Sequence, residues 1–364
     1  MNIKVSESGN SSPELKTQGF FCRFSIKHRL GSNVVIPAHH YELDEIVERA
    51  DFLGDSYKLA VDCSRTRAEY IVFGGVSFMA EGAALLAGPD QKVLIPDPQA
   101  GCPMAQMITA PRAKAVHENL SACCDHQVIP IVYMNSHADM KAFCGAHGGT
   151  VCTSSNASKI VKRFLDDDKS VFFSPDFNLG INTANDLGIP RHEVVTVRRD
   201  GTLEGDDPSS ARMFLWDGFC HVHKIFTLDD ITQLRANNPD IQIIVHPECE
   251  EAVVTASDYA GSTAMIYNTV KDAAPGTTWG IGTEYRFVAR MAQTFSDKTI
   301  IPLKESICHD MSRITLKKLT ASLNSIETFT RGEGPLIHQV TVPEALKKDA
   351  KTALQRMIDI VEEA

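Results

Sequence analysis

Three stretches of this chain read as copies of one unit, and a triplicated unit limits the possible folds more than any composition value. The first is VVIPAHHYELDEIVERADFLGDSYKLA, from Val34. The second is VIPIVYMNSHADMKAF, from Val128, running on to CTSSNASKIVKRF. The third is IQIIVHPECEEAVVTASDYAGSTAMIYNTV, from Ile241. Each opens with a β-branched apolar run, the pattern of a parallel strand buried on both faces. Each places polar residues where that strand should stop: His39 with Tyr41, Tyr133 with Asn135, His246 with Glu248. Acid-rich helical patterns follow. A small hydroxyl cluster then opens another apolar stretch: Gly54-Asp55-Ser56, Thr153-Ser154-Ser155 and Gly261-Ser262-Thr263.

The second halves repeat as well. Strand-like runs start at Tyr70, Val171 and Thr278, a helical segment follows each, and a further apolar run ends in Cys102, Cys220 or Cys308. Ser56 to Cys102 and Ser262 to Cys308 are both 46 residues, whereas Ser154 to Cys220 is 66. The excess of 20 falls in residues 191–211, RHEVVTVRRDGTLEGDDPSSA, which read as a loop insertion with a small hairpin around Asp200-Gly201. Any α/β units resemble one another to a degree; here the cysteine phase matches along with the strand pattern.

Strands alternating with helices predict parallel sheets joined by right-handed crossovers, with ligands beyond the carboxyl ends of the strands. The expected fold is α/β, with three α/β domains around a pseudo-threefold axis and their strand ends converging on one centre. The expected boundaries are a polar arm at 1–19, domains at 20–110, 111–223 and 224–309, and a C-terminal helical segment at 310–364. The last stretch, EALKKDAKTALQRMIDIVEEA, is an amphipathic helix expected on the outside or against the first unit.

Composition excludes several classes. Lys and Arg number 36 against 46 Asp and Glu, a net charge of -10 that argues against nucleic acid. The most apolar stretch, Ile71 to Gly88, carries Glu81 and several glycines, so no membrane span is expected. The N-terminal MNIKVSESGNSSPELKTQ lacks the apolar core of a secretory signal, so a cytoplasmic protein with reduced thiols is expected. Ten cysteines then need an explanation other than disulfides.

One cysteine from each unit can meet on a common axis, where three thiolates repel unless a cation holds them. Zinc would need a fourth ligand, for which His221 or His223 is placed. A [4Fe-4S] cluster held by three cysteines would leave one iron open to substrate as a Lewis acid. Three buried free cysteines remain the plain alternative. That plain reading is the one given to Cys22, Cys63, Cys123, Cys124, Cys144, Cys152 and Cys249. The hydroxyl clusters either cap helices or offer helix N-termini to anionic groups. His39, His223 and His246 would add hydrogen bonds or proton transfer, and Glu248 is the best placed general base. Glu284 is a weaker base candidate and a candidate helix cap.

At these residues the chain resembles the quinolinate synthase family. The matching pieces include AHHYELDEI, GGVSFMAEGAALL, AGCPMAQM, VYMNSHADMKA, CTSSNASKIV, SPDFNLG, WDGFCHVH, HPEC, GSTAMI, GTEYRFVARM and CHDMSRITLKKL, spanning residues 34–319 in the family's order. The resemblance implies three α/β domains around one [4Fe-4S] cluster. It implies condensation of iminoaspartate with dihydroxyacetone phosphate to quinolinate, with loss of phosphate and two waters, as an early step of NAD synthesis. It implies cluster ligands at Cys102, Cys220 and Cys308. Catalytic roles carry onto Tyr41, His246 and Glu248, and substrate contacts onto His39, Ser56, Tyr133, Asn135, Ser154, His223, Ser262 and Thr263. An aspartate-oxidising enzyme is the implied transient partner.

The departures are specific. Pro302 and Glu305 stand where some members carry further cysteines, so no regulatory disulfide is supported there. The third ligand motif reads Cys308-His-Asp-Met311 rather than C-x-N-M. Another [4Fe-4S] hydro-lyase acting on a small carboxylate, or an electron carrier or structural metal protein, are the rival readings. A carrier would want a fourth protein ligand.

Overall fold

Parallel pairing of short buried strands dominates the computed structural model, which describes residues 26–363. The polar arm expected at 1–19 and Cys22 lie outside the described residues. The first unit contains β1 (Val34–Val35), β2 (Pro37–His39), α1 (Asp44–Val47), β3 (Phe52–Gly54), α2 (Ser56–Arg65), β4 (Tyr70–Val72), α3 (Ser77–Leu86) and β5 (Lys92–Leu94). Strand β2 pairs with β3, β1 with β4, and β4 with β5, all parallel. A parallel bridge between Ala38 and Gly74 continues the β1–β2 line past the end of β4.

Helix α4 (Ala110–Cys123) leads into the second unit: β6 (Val128–Tyr133), α5 (Ala138–Ala146), β7 (Thr150–Cys152), α6 (Ala157–Leu165), β8 (Ser170–Ser174), α7 (Phe177–Asp186), β9 (Val194–Val197), β10 (Leu203–Glu204) and β11 (Met213–Trp216). The third unit has α8 (Leu228–Asn237), β12 (Gln242–Val245), α9 (Glu251–Ala256), β13 (Tyr259–Ala260), α10 (Thr263–Asp272), β14 (Thr278–Gly282), α11 (Tyr285–Thr294) and β15 (Thr299–Pro302). The sheets run β7–β6–β8–β11, extended by β9 and β10, and β13–β12–β14–β15. Setting that extension aside, one order recurs in all three units: second strand, first, third, fourth. Every residue of β6 and β8 is buried, which is why these strands are continuous apolar runs instead of alternating ones.

Register explains why the polar strand ends meet the hydroxyl clusters. His39 is paired with Gly54, Tyr133 with Cys152, and Val245 with Ala260. The first and second strands of each unit therefore stop together. The next residues are His40 and Tyr41 near Asp55-Ser56, Asn135 near Thr153-Ser154, and His246 through Glu248 near Gly261-Ser262.

The insertion is more than a loop. Its VVTV segment, β-branched throughout, adds β9 parallel to β11, and β10 folds back on β9 as the expected hairpin. Gly201, in the connecting turn, has φ +92°, a conformation that favours glycine.

The C-terminal segment crosses unit boundaries. Helix α12 (Leu316–Thr330) packs on α1 and β4, and Gln339 forms an antiparallel bridge with Leu94 at the edge of the first sheet. Helix α13 (Glu344–Glu362) lies chiefly against α5 and β7 of the second unit, touching the first unit through α3. Its seat is the glycine-bearing stretch after α5, where Thr150 Oγ1 donates to Ala353 O at 2.9 Å and Arg356 donates to Gly149 O. Cys63, Cys144, Cys152 and Cys249 are buried as expected, but Cys123 is exposed, because it ends α4 on the outer face. Among the described residues, no helix is long and apolar enough to cross a membrane.

Candidate active site

Loops at the strand ends of all three units line one cavity. It gathers His39, Tyr41, Ser56, Cys102, Tyr133, Asn135, Ser154, Cys220, His223, His246, Glu248, Thr263 and Cys308. Ser262 is the sequence candidate that stands apart. It lines a neighbouring cavity that also touches Ser154. Its hydroxyl accepts the Met265 N–H at 3.3 Å and caps α10. Glu284 likewise caps α11, through bonds from Arg286 N and Phe287 N, instead of lining the cavity.

The first and third units use their strand-end histidines alike. His39 Nδ1 accepts from Tyr41 N at 3.1 Å, and His246 Nδ1 accepts from Glu248 N at 3.3 Å. Each ring is thereby held with Nδ1 as acceptor, leaving Nε2–H as donor. Burial, with neighbouring rings adding to it, lowers both histidines to about 3. They are neutral donors at physiological pH. The His246 ring stacks on His223 with centroids 4.2 Å apart.

A buried polar chain runs behind these rings. Thr263 Oγ1 donates to Tyr41 Oη at 3.1 Å, and Tyr41 Oη lies 2.7 Å from Thr283 Oγ1. Thr283 Oγ1 lies 3.1 Å from His223 Nε2, and His223 Nδ1 lies 2.7 Å from Glu248 Oε2. Burial by itself pushes the Glu248 carboxyl up, but His223, His246 and the Tyr133 phenol together outweigh it and hold the group well below the ordinary carboxylate range. Glu248 Oε1 has no partner of normal hydrogen-bond geometry, and the Tyr133 phenol faces this carboxylate. Asn135 Oδ1 is also buried without a partner. Burial raises both phenols, Tyr41 and Tyr133, well above the usual range, so they remain proton donors. Thr283 has no counterpart among the residues singled out from sequence. Its position, next to the helix-capping Glu284, gave no local sign of chemistry.

Among the described residues, no Lys or Arg lines the cavity. This bears on the three thiols. Burial pushes Cys102 and Cys308 up to about 12 and Cys220 well above the ordinary thiol range, so thiolates here need a cation for balance. Backbone N–H groups of Met104 and Ala105 face the Cys102 sulfur, and that of Met311 faces Cys308, as suits sulfur carrying negative charge. Around one zinc ion, sulfurs would lie about 3.8 Å apart. Among the described residues, however, the donor set drawn within 4.8 Å is Cys220, His223 and Glu248, not the three cysteines. At least one pair of the three sulfurs is therefore more than 4.8 Å apart, too wide for one zinc ion, while three thiols opening on one cavity suit the donor chemistry of a polynuclear centre. In the tighter set, His223 and Glu248 already bond to each other, which leaves no space for an ion between them.

The comparisons with known proteins are consistent over almost the whole chain. The family model described as Quinolinate synthetase A protein matches residues 25–359. A protein of Streptomyces coelicolor named quinolinate synthase is 43% identical over 342 residues, covering 91% of this chain and 86% of that protein. Quinolinate synthases of Bacillus pumilus and Geobacillus kaustophilus are 44% and 42% identical. Each of these alignments covers 92% of this chain, and they cover 91% and 92% of those proteins respectively.

Proposed function

The chain belongs to the quinolinate synthase family, and from that premise we propose that it condenses iminoaspartate with dihydroxyacetone phosphate to quinolinate, releasing phosphate and two waters, as an enzyme of NAD biosynthesis in the cytoplasm. The observation that carries this reading is one cavity joining three cysteines to neutral donors, phenols and an ionised carboxylate. Cys102, Cys220 and Cys308 would hold a [4Fe-4S] cluster. When bound by three cysteines, such a cluster supplies a Lewis acid at its remaining iron.

The side chains divide the remaining work. With no Lys or Arg among the described residues of the wall, the substrate carboxylates and phosphate fall to uncharged donors there. These are His39 and His246 through Nε2–H, Asn135 through its amide, and the hydroxyls of Ser56, Ser154, Tyr133 and Thr263. Glu248 would accept a proton at Oε1 while Oε2 keeps the His223 ring oriented. Tyr41, hydrogen-bonded to Thr263 and Thr283, would donate a proton to oxygen as hydroxyl leaves. Ser262 supports this wall by capping α10, beside the residue Thr263 that enters it. An aspartate-oxidising enzyme would supply the short-lived imine by transient contact.

An anaerobic assay with the two precursors tests the reading. Quinolinate should form, and Cys102→Ala, Cys220→Ala and Cys308→Ala should each abolish it together with the bound iron. Dehydration of a simple hydroxyacid without quinolinate would place the chain among other [4Fe-4S] hydro-lyases. Iron bound with no turnover of any substrate would make it a carrier.

A further inference from the structure

Helix α7 and helix α11 begin with the same uncommon device. Each follows the third strand of its unit and starts at a fully buried acidic N-cap, Asp176 or Glu284. Asp176 Oδ1 accepts the Leu179 N–H at 2.6 Å and thereby caps α7, while Oδ2 accepts the Cys220 N–H at 3.0 Å. Glu284 Oε2 accepts Arg286 N at 2.8 Å and Phe287 N at 3.2 Å, while Oε1 accepts the Cys308 N–H at 3.3 Å. One oxygen caps the helix and the other reaches the cysteine that follows the next strand.

The first unit lacks an acid at this position: Val76 is the N-cap of α3. Its cysteine loop is held from elsewhere. Asp310, two residues beyond Cys308, accepts the Gly101 N–H at 3.1 Å through Oδ1, next to Cys102. Ser77 N also donates to Ala100 O at 2.8 Å. Each of the three sulfur-bearing loops is thus pinned by a carboxylate at the cysteine's own N–H or the one before it. A helix can be capped by a surface Ser or Asp at no desolvation cost, so a cap buried completely needs a further reason.

We infer that Asp176, Glu284 and Asp310 are positioning residues that hold the Cys220, Cys308 and Cys102 loops in register for the metal centre. This rests on the cluster reading above. The carboxylates reach the cysteine loops through backbone N–H groups, and Glu284 Oε1 also accepts from Arg286 Nη1 at 3.2 Å. Asp310 additionally ties the first and third loops together, so its loss should loosen both.

The experiment compares Asp176→Ala, Glu284→Ala and Asp310→Ala with Asp176→Asn, Glu284→Gln and Asp310→Asn, all purified anaerobically. The readouts are iron per chain, the rate of iron loss to a chelator, and amide hydrogen exchange at Gly101, Cys220 and Cys308. Each alanine variant should lose iron about tenfold faster or more, the size expected for one charge-assisted hydrogen bond. The corresponding amide should exchange faster. Asp310→Asn, which keeps the one oxygen in use, should stay near wild type, whereas Asp176→Asn and Glu284→Gln lose one of two accepting oxygens and should fall between the alanine variants and wild type. Wild-type iron retention and unchanged exchange in the alanine variants would overturn the inference. Asp310 is only partly buried, so its alanine variant keeps the test open if the other two fail to fold. Wild-type protein that takes up no iron would refute the cluster reading, and the exchange data would still decide whether the carboxylates hold the loops.

Discussion

His223 Nδ1 and Glu248 Oε2 are 2.7 Å apart, with both side chains at most 3% exposed. A pair this dry has few alternative partners, so each group sets the other's orientation. Glu248→Gln keeps an acceptor for the imidazole N–H but removes the oxygen that can take a proton. The expected result is a loss of kcat of about 10²–10⁴, the usual contribution of general base catalysis, with iron content unchanged. Full turnover in this variant would remove Glu248 from the proton-transfer role.

Thr283 is the hydroxyl between Tyr41 and His223, at 2.7 and 3.1 Å. Thr283→Val is nearly isosteric and leaves His223 Nε2 without this partner, a cost of about 1–3 kcal/mol. A fall in kcat of about tenfold or more is expected, with KM little changed and iron content intact. Thr283→Ser should recover most of the loss, because it restores the oxygen. Equal kcat in the Val variant would show the hydroxyl to be a packing feature.

The repeat structure of the chain was readable because strand pattern, hydroxyl cluster and cysteine recur at matched spacing, 46 residues in two of the three units. The cavity follows from that spacing, since the register ends the first and second strands together. What the sequence did not reveal was contacts between distant segments. Thr283, Tyr41 and His223 come from separate segments, and Asp176 meets Cys220 across 44 residues. No local pattern encodes such pairs. Ser262 shows the reverse limit: a hydroxyl cluster at a helix start has the same sequence whether it caps the helix or faces a ligand. The insertion was legible as a hairpin, while the extra parallel strand β9 depended on an open edge of β11 that only the folded sheet presents.

Acid should weaken the fold through His40. Burial, with Arg290 and Lys58 nearby, lowers His40 from 6.5 to about 4. The unfolded chain therefore takes up this proton first as pH falls. Stability is complete above about pH 6.5 and is lost between there and pH 4, by at most about 1.4 kcal/mol per pH unit from this one group. His40→Gln should flatten that part of the curve of denaturation midpoint against pH. An unchanged slope would mean that His40 is already protonated in the folded protein.

Gly145 lies where α5 meets the C-terminal helix. A Cβ added there would sit 1.9 Å from the Asp349 carbonyl oxygen, a backbone atom that cannot turn aside. Gly145→Ala must push α13 away from a seat that buries Ala350, Ala353, Leu354 and Met357. A loss of about 2–3 kcal/mol in denaturant unfolding is expected, with faster proteolytic removal of the C-terminal helix. Wild-type stability would show that the helix can shift without losing its contacts.

Substitutions at Ser154 and Ser262 test substrate binding against helix capping. Ser154 lines the main cavity, and its helix starts only at Ala157, whereas the Ser262 hydroxyl is bound to Met265 N as the cap of α10. Ser154→Ala should raise KM by about three- to tenfold, the loss of one neutral hydrogen bond, and leave the denaturation midpoint nearly unchanged. Ser262→Ala should lower stability by about 1 kcal/mol, the cost of losing a serine cap, and change KM less. Steady-state kinetics and denaturant unfolding on the two variants together decide the matter. A reversed pattern would place Ser262 on the substrate and make Ser154 the structural hydroxyl, moving the anion site toward the neighbouring cavity that both serines border.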